Sequence, residues 1–172
     1  MTTTIDTRPT DPELRAGVVE HAADRLARLA RDHDGIAFLR DIASGELPAP
    51  PIAELVGFDI TEIEPGRVMV AMRPRLEHYN PIGSVHGGIA ATLLDTAIGC
   101  AVHCRLPRGT GYTTLDLQVR YLKPVSVRTG IVLATGTVVH LGRRTATAEG
   151  RLVQADTGSL LATATSSLLV LS

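Results

Sequence analysis

Residues 80–104, NPIGSVHGGIAATLLDTAIGCAVHC, begin with turn chemistry, pass through Gly87-Gly88 and continue as an apolar helix. Between His86 and His103 the one residue charged at neutral pH is Asp95. A helix that is apolar on nearly every side belongs in a core. A lone carboxylate within it is costly unless paired or hydrogen-bonded. The stretch therefore predicts a central helix, from about His86 to Cys104, with Asp95 as a buried charge that carries chemistry.

The flanking sequence says what surrounds that helix. Phe58–Ile63 alternates as a strand, Glu64-Pro65-Gly66 reads as a turn, and Arg67–Arg73 returns as a second strand. After the helix, Tyr112–Leu122 alternates with Leu115, Leu117, Val119 and Tyr121 on one face and Thr114, Asp116, Gln118 and Arg120 on the other. Residues 129–141, 145–155 and 160–171 follow as strands, joined by turns at Gly142-Arg143-Arg144 and Asp156-Thr157-Gly158. One helix cannot cover both faces of a long sheet, but a curled antiparallel sheet can wrap one apolar helix. The fold class is α+β.

Upstream lies a helical arm. Thr10-Asp11-Pro12-Glu13 offers a helix start, and Leu14, Val18, Ala22, Leu26 and Leu29 follow at helical spacing. Asp34-Gly35 interrupts it, a second helix carries Phe38, Leu39 and Ile42 to Ser44-Gly45, and residues 47–51 (LPAPP) read as a stiff linker. The expected division is an arm and linker over 1–51 and a main domain over 52–172. Residues 1–50 hold nine acidic and six basic side chains, a balance that repels phosphates and speaks against DNA binding.

Composition narrows the function classes. The chain has 172 residues and a formal net charge of −1, so nothing directs it to nucleic acid or a membrane surface. No stretch approaches the roughly 20 apolar residues of a membrane span, and the N-terminus lacks a secretory pattern. A cytoplasmic location is expected. Cys100 and Cys104, four apart on one helix, are expected to be free, buried and inert. No ligand set at zinc spacing is present, so neither metal nor cofactor is expected.

The central stretch offers two chemical ends. A helix N-terminus presents unpaired N–H groups and a positive dipole end. Gly87 and Gly88 leave room for a carbonyl oxygen to approach them as in an oxyanion hole, or they simply allow tight packing. Asn80 could donate its amide to that carbonyl or shape the turn, and His86 fits an orienting group better than a base. Thr114 could position a water for Asp95. Asp95 lies eight residues beyond Gly87, roughly 12 Å along the axis. One carbonyl cannot touch both, so joint action on one carbonyl group requires two copies of the chain. Lys123, His140, Arg143 and Arg144, at strand ends and a turn, could gather beside a groove and receive nucleotide phosphates.

The residues Asn80 to Gly88, then Ala91-Thr92-Leu93-Leu94-Asp95, with the strand Thr113 to Pro124, resemble the signature of hotdog-fold acyl-CoA thioesterases of the phenylacetate-degradation (PaaI-like) type. The resemblance covers about residues 55–171 and leaves the arm outside. It implies a hotdog fold and hydrolysis of an acyl-CoA, aryl-acyl or medium-chain, to CoA and a carboxylic acid. It implies Asp95 as general base or nucleophile, Gly87 as oxyanion donor assisted by Asn80, and Thr114 (often Ser in the family) as water orienter. CoA would run past Tyr121 to Ser126 and the turn from His140 to Arg144. The same resemblance implies homodimers with composite sites, often paired into tetramers. The alternative function is a non-catalytic acyl-CoA sensor of the same fold.

Overall fold

The computed structural model describes residues 18–171, with side chains described from residue 25. Three helices come first: α1 (Val18–Asp32), α2 (Gly35–Ser44) and α3 (Pro51–Val56). Then follow β1 (Phe58–Glu64), β2 (Arg67–Met72), the long helix α4 (Gly87–His103) and four strands: β3 (Gly111–Tyr121), β4 (Val132–Leu141), β5 (Thr145–Gln154) and β6 (Leu160–Leu171). The strands form one antiparallel sheet in the order β1-β2-β4-β5-β6-β3, so β1 and β3 are its edges. The expected start of the arm at Thr10 to Glu13, and Leu14, lie outside the described residues.

The sheet wraps α4. Leu93, Leu94, Ala97, Ile98, Ala101 and Val102 of this helix are fully buried. All but Ala101 pack with Val70, Val132, Ala134, Ala148, Leu152 and Leu168 from four strands, and Ala101 packs with Phe38, Leu39 and Val68. The close seat depends on two glycines that face each other across β4 and β5, Gly136 and Gly150. A Cβ at Gly136 would lie 2.2 Å from the Ala97 carbonyl oxygen, and one at Gly150 would lie 3.0 Å from Ile98 and Leu94 side chains. At Gly136 the obstacle is backbone, which cannot swing aside. Gly136→Ala should therefore lower unfolding stability by ~2 kcal/mol or more, read as a lower urea midpoint. An unchanged midpoint would show that the helix does not sit this close in solution.

Three expectations need correction. Asp95 is half-buried, not buried: its own sheet does not cover the flank of α4 that carries Ala91, Thr92, Asp95 and Thr96. The stiff linker expected over 47–51 ends at Pro50. Pro51 opens α3, a six-residue helix that ends on Gly57 at φ +76°. The expected strand from Thr129 begins instead at Val132, because Ser126 caps a 3-10 turn over Val127–Thr129 by accepting the Arg128 N–H at 3.2 Å.

The most consequential difference is in β3. Thr114 pairs with Leu168 but Asp116 pairs with Ser167, so one residue, Leu115, is bulged out of register. A bulge shifts the side-chain alternation by one. Thr114 consequently faces α4 on the same side as Leu117 and Val119, while Leu115 points out, 56% exposed. Ser166 pins the bulge by donating its hydroxyl to the Asp116 carbonyl at 2.7 Å.

Candidate active site

The loop before α4 is built by Asn80. Its Oδ1 accepts the Ile82 and Ser84 N–H groups at 3.1 Å each, and its Nδ2 donates to Ser84 Oγ at 3.1 Å. Its backbone N–H donates to the Ser84 carbonyl at 2.8 Å, and Gly83 takes φ +89° within the turn. Of the two readings of Asn80, turn shaping is therefore realised in full. The second amide hydrogen stays available to the hollow that Asn80 faces.

His86 ends that loop as the N-cap of α4. Its Nδ1 accepts the Gly88 N–H at 2.8 Å, and its own N–H donates to the His78 carbonyl at 2.7 Å. This capping consumes the Gly88 donor. The Gly87 N–H, at the first helical position, has no hydrogen-bond partner among the described residues. His78 is buried, and desolvation together with the neighbouring Arg75 guanidinium lowers its pKa. It stays neutral beneath the loop, its Nδ1 accepting the Arg75 N–H at 3.1 Å.

Gly87 also has a packing reason to be glycine. Tyr121, at the end of β3, donates its hydroxyl to the Gly87 carbonyl at 3.0 Å, and a Cβ on Gly87 would lie 3.1 Å from the tyrosine ring. Asn80, Gly87, Tyr121 and Lys123 line one open hollow of about 360 Å³. Lys123 donates to Ser159 Oγ at 2.6 Å on its rim.

Asp95 and Thr114 form the other end. The bulge in β3 aims Thr114 so that its Oγ1 donates to Asp95 Oδ1 at 3.0 Å. This fixes the carboxylate rotamer and leaves the second oxygen open on the uncovered flank of α4. The two ends are separate within one chain: neither Asp95 nor Thr114 lines the hollow that Gly87 lines.

The expected cluster of cations is likewise divided. Tyr121, two residues before Lys123, pairs with Ala162 at the start of β6, whereas Thr145, just after Arg143 and Arg144, pairs with Leu169 at its end. Seven strand residues separate them, roughly 23 Å. One chain therefore does not bring Lys123 to His140, Arg143 and Arg144, all of which are exposed. Among the described residues no group of three or more His, Cys, Asp or Glu side chains converges as metal ligands.

Four residues give no sign of their roles in the sequence. Gly136 and Gly150 seat the helix, His78 supports the loop, and Tyr112 covers Gly99, where a Cβ would lie 2.6 Å from the tyrosine hydroxyl. No spacing rule isolates them. The helix α3 did leave a signal: Pro at its first position and Gly just past its last.

A curled antiparallel sheet wrapped around one apolar helix is the hotdog fold. A family profile described as "Thioesterase superfamily" matches residues 82–161. Human acyl-coenzyme A thioesterase 13 is 30% identical over 125 residues, covering 72% of this chain and 88% of the relative. Among solved structures, a mutant of the phenylacetic acid degradation protein PaaI from Thermus thermophilus matches with TM-score 0.63 and 30% identity, over 70% of this chain and 98% of that one. The E. coli PaaI protein matches in fold with TM-score 0.69 at 22% identity, over 78% and 94%. The chain belongs to the thioesterase superfamily, in its PaaI-like hotdog branch, and is a thioester hydrolase. No helix among the described residues is long and apolar enough to cross a membrane.

Proposed function

We propose that the protein hydrolyses an acyl-CoA to free CoA and a carboxylic acid, the thioesterase domain being residues 52–172. Asp95 takes a proton from a water that Thr114 helps to hold. The water oxygen attacks the thioester carbonyl carbon, and the oxyanion is met by the Gly87 N–H with the spare Asn80 amide hydrogen beside it. The C–S bond then breaks, and the CoA sulfur leaves and takes up the proton. No metal or redox cofactor enters this scheme. The observation that carries it is the division of the site: a carboxylate held by Thr114 on one flank, and a free N–H roughly 12 Å away along the same helix.

That division favours a homodimer in which each site takes Asp95 from one chain and Gly87 from the other. Two features support the pairing. The eleven-residue edge strand β3 leaves its outer backbone groups unpaired, which suits pairing with a second β3. The flank of α4 carrying Ala91, Thr92, Asp95 and Thr96 is only half-covered by its own chain. A second pairing into tetramers would let Lys123 of one subunit and the His140 to Arg144 turn of another reach one CoA, past Tyr121. Cys100 and Cys104 are free thiols one helical turn apart, which suits the reducing cytoplasm, where we place the activity.

The test is free-thiol release from a panel of aryl-acyl and straight-chain acyl-CoAs, run beside calorimetric titration of the same compounds. Catalytic turnover of at least one acyl-CoA is expected. Tight binding with no thiol release from any of them would overturn hydrolysis in favour of an acyl-CoA sensor.

A further inference from the structure

A second cavity lies beyond the carboxylate, bounded by the helical arm. Its volume is about 180 Å³. Phe38, Leu39 and Ile42 of α2 form one wall, and Thr96, Cys100 and Tyr112 of α4 and β3 form the other. Of the polar side chains that line the cavity, Thr96, Cys100, His103 and Tyr112 are uncharged, and Asp59 of β1 is a carboxylate exposed to solvent. Burial pushes the Cys100 thiol up to about 12 and raises the Tyr112 hydroxyl as well. Burial also lowers the pKa of His103 and so keeps it neutral.

The cavity's place is set by elements that also set Asp95. Thr96 is the next residue, and Cys100 lies five residues on, roughly 7.5 Å along the axis. Tyr112 precedes Thr114 by two positions on the same face of β3, roughly 7 Å away. The cavity thus lies next to the residues that carry the carboxylate, toward the C-terminal end of α4, in the direction opposite to Gly87. A thioester carbonyl at Asp95 would have this apolar space directly on its acyl side.

The arm is fixed there rather than draped. Gly35 packs so closely on the end of α4 that a Cβ would lie 1.8 Å from the His103 carbonyl oxygen, and its N–H donates to the Leu106 carbonyl at 3.1 Å. Asp34 Oδ1 accepts the Arg108 N–H at 3.0 Å, and the Gly109 N–H donates to the Arg31 carbonyl at 2.9 Å. Phe38 stacks on His103 with ring centroids 5.6 Å apart. A wall held by backbone contacts has a defined size.

We infer that this cavity receives the apolar acyl group of the substrate, and that the helical arm sets the size of acyl group the enzyme accepts. The inference rests on the acyl-CoA reading above. An apolar protein cavity of about 150 Å³ holds one benzene molecule. The space here therefore suits a phenyl ring or a chain of about six carbons.

The test compares full-length wild type, Ala43→Trp and Ile42→Ala on straight-chain acyl-CoAs from acetyl to dodecanoyl, with phenylacetyl-CoA beside them. Ala43 stands at the cavity mouth, exposed, so a Trp there blocks the opening without invading the core. Wild type should be most efficient near hexanoyl- or phenylacetyl-CoA, and the comparison of those two separates a chain from a ring. Ala43→Trp should lower the hexanoyl-to-acetyl ratio of kcat/KM by ~10-fold or more, and Ile42→Ala should move the optimum to longer chains. In an Asp95→Asn background, Ala43→Trp should weaken hexanoyl-CoA binding by a similar factor in calorimetry. A wild-type optimum at dodecanoyl, or profiles unmoved by both variants, would overturn the assignment while leaving thioester hydrolysis intact. Absence of turnover on every acyl-CoA would instead sink the parent reading.

Discussion

Asp95→Asn should lower kcat for thioester hydrolysis by ~10²–10⁴-fold, the range for loss of a positioned general base. The substitution is a clean one here. Thr114 Oγ1 donates to Asp95 Oδ1 at 3.0 Å, and an amide oxygen can accept the same hydrogen bond. Rotamer, volume and the contact to β3 are kept, whereas the charge and the basic oxygen are lost. The residue is half-buried on a flank that its own sheet does not cover, so no core cavity opens. The measurement is kcat by thiol release, with the urea midpoint checked on the same preparation. Asp95→Ala should lose as much activity while also freeing Thr114. Turnover near wild type in either variant, with the fold intact, would remove Asp95 from the chemistry.

Much of this architecture is written in local patterns. The apolar run from Ile89 to Val102 has one way to be buried when the other elements are strands, so a sheet wrapped on a helix follows from periodicity. The turns at Gly66 and Gly158 take positive φ, as Gly in a turn does. What could not be read is the phase of β3. Leu115 continues an unbroken apolar alternation with Leu117 and Val119, and strict alternation places Thr114 on the wrong face. The bulge that reverses this is a tertiary compromise, held by Ser166 from β6, and nothing within residues 111–121 announces it. The burial of Asp95 is overstated by the sequence for a related reason. A helix that is apolar all round need not be covered all round by its own chain, and here one flank is left half-open. The grouping of Lys123 with His140, Arg143 and Arg144 fails within one chain because strand register decides which ends are neighbours, and register is fixed across β5 and β6 rather than along the sequence.

The oxyanion end can be tested with a substitution that removes one hydrogen. His86 has φ −59° and ψ 134°, the extended conformation that a following proline favours, and Pro is well tolerated at the first position of a helix. Gly87→Pro should therefore keep the start of α4 and delete the Gly87 N–H, which has no partner among the described residues. The added ring atoms meet Tyr121, whose ring would lie 3.1 Å from a Cβ at this position. Gly87→Ala meets the same ring and keeps the N–H, so the difference between the two variants isolates the donor. Gly87→Pro should fall ~10²–10³-fold below Gly87→Ala in kcat, the effect of losing one oxyanion donor. Equal rates would mean that the backbone N–H does not hold the oxyanion. The same variant decides where the two halves of the site come from. In a homodimer with shared sites, Gly87→Pro and Asp95→Asn subunits each make two defective sites when paired with themselves. Paired with each other, they make one site with both defects and one with neither. Unfolding and refolding the two inactive proteins together should therefore restore roughly a quarter of the wild-type activity by random pairing. No recovery, from a mixture shown to contain mixed dimers, would place Asp95 and Gly87 in independent roles within each chain.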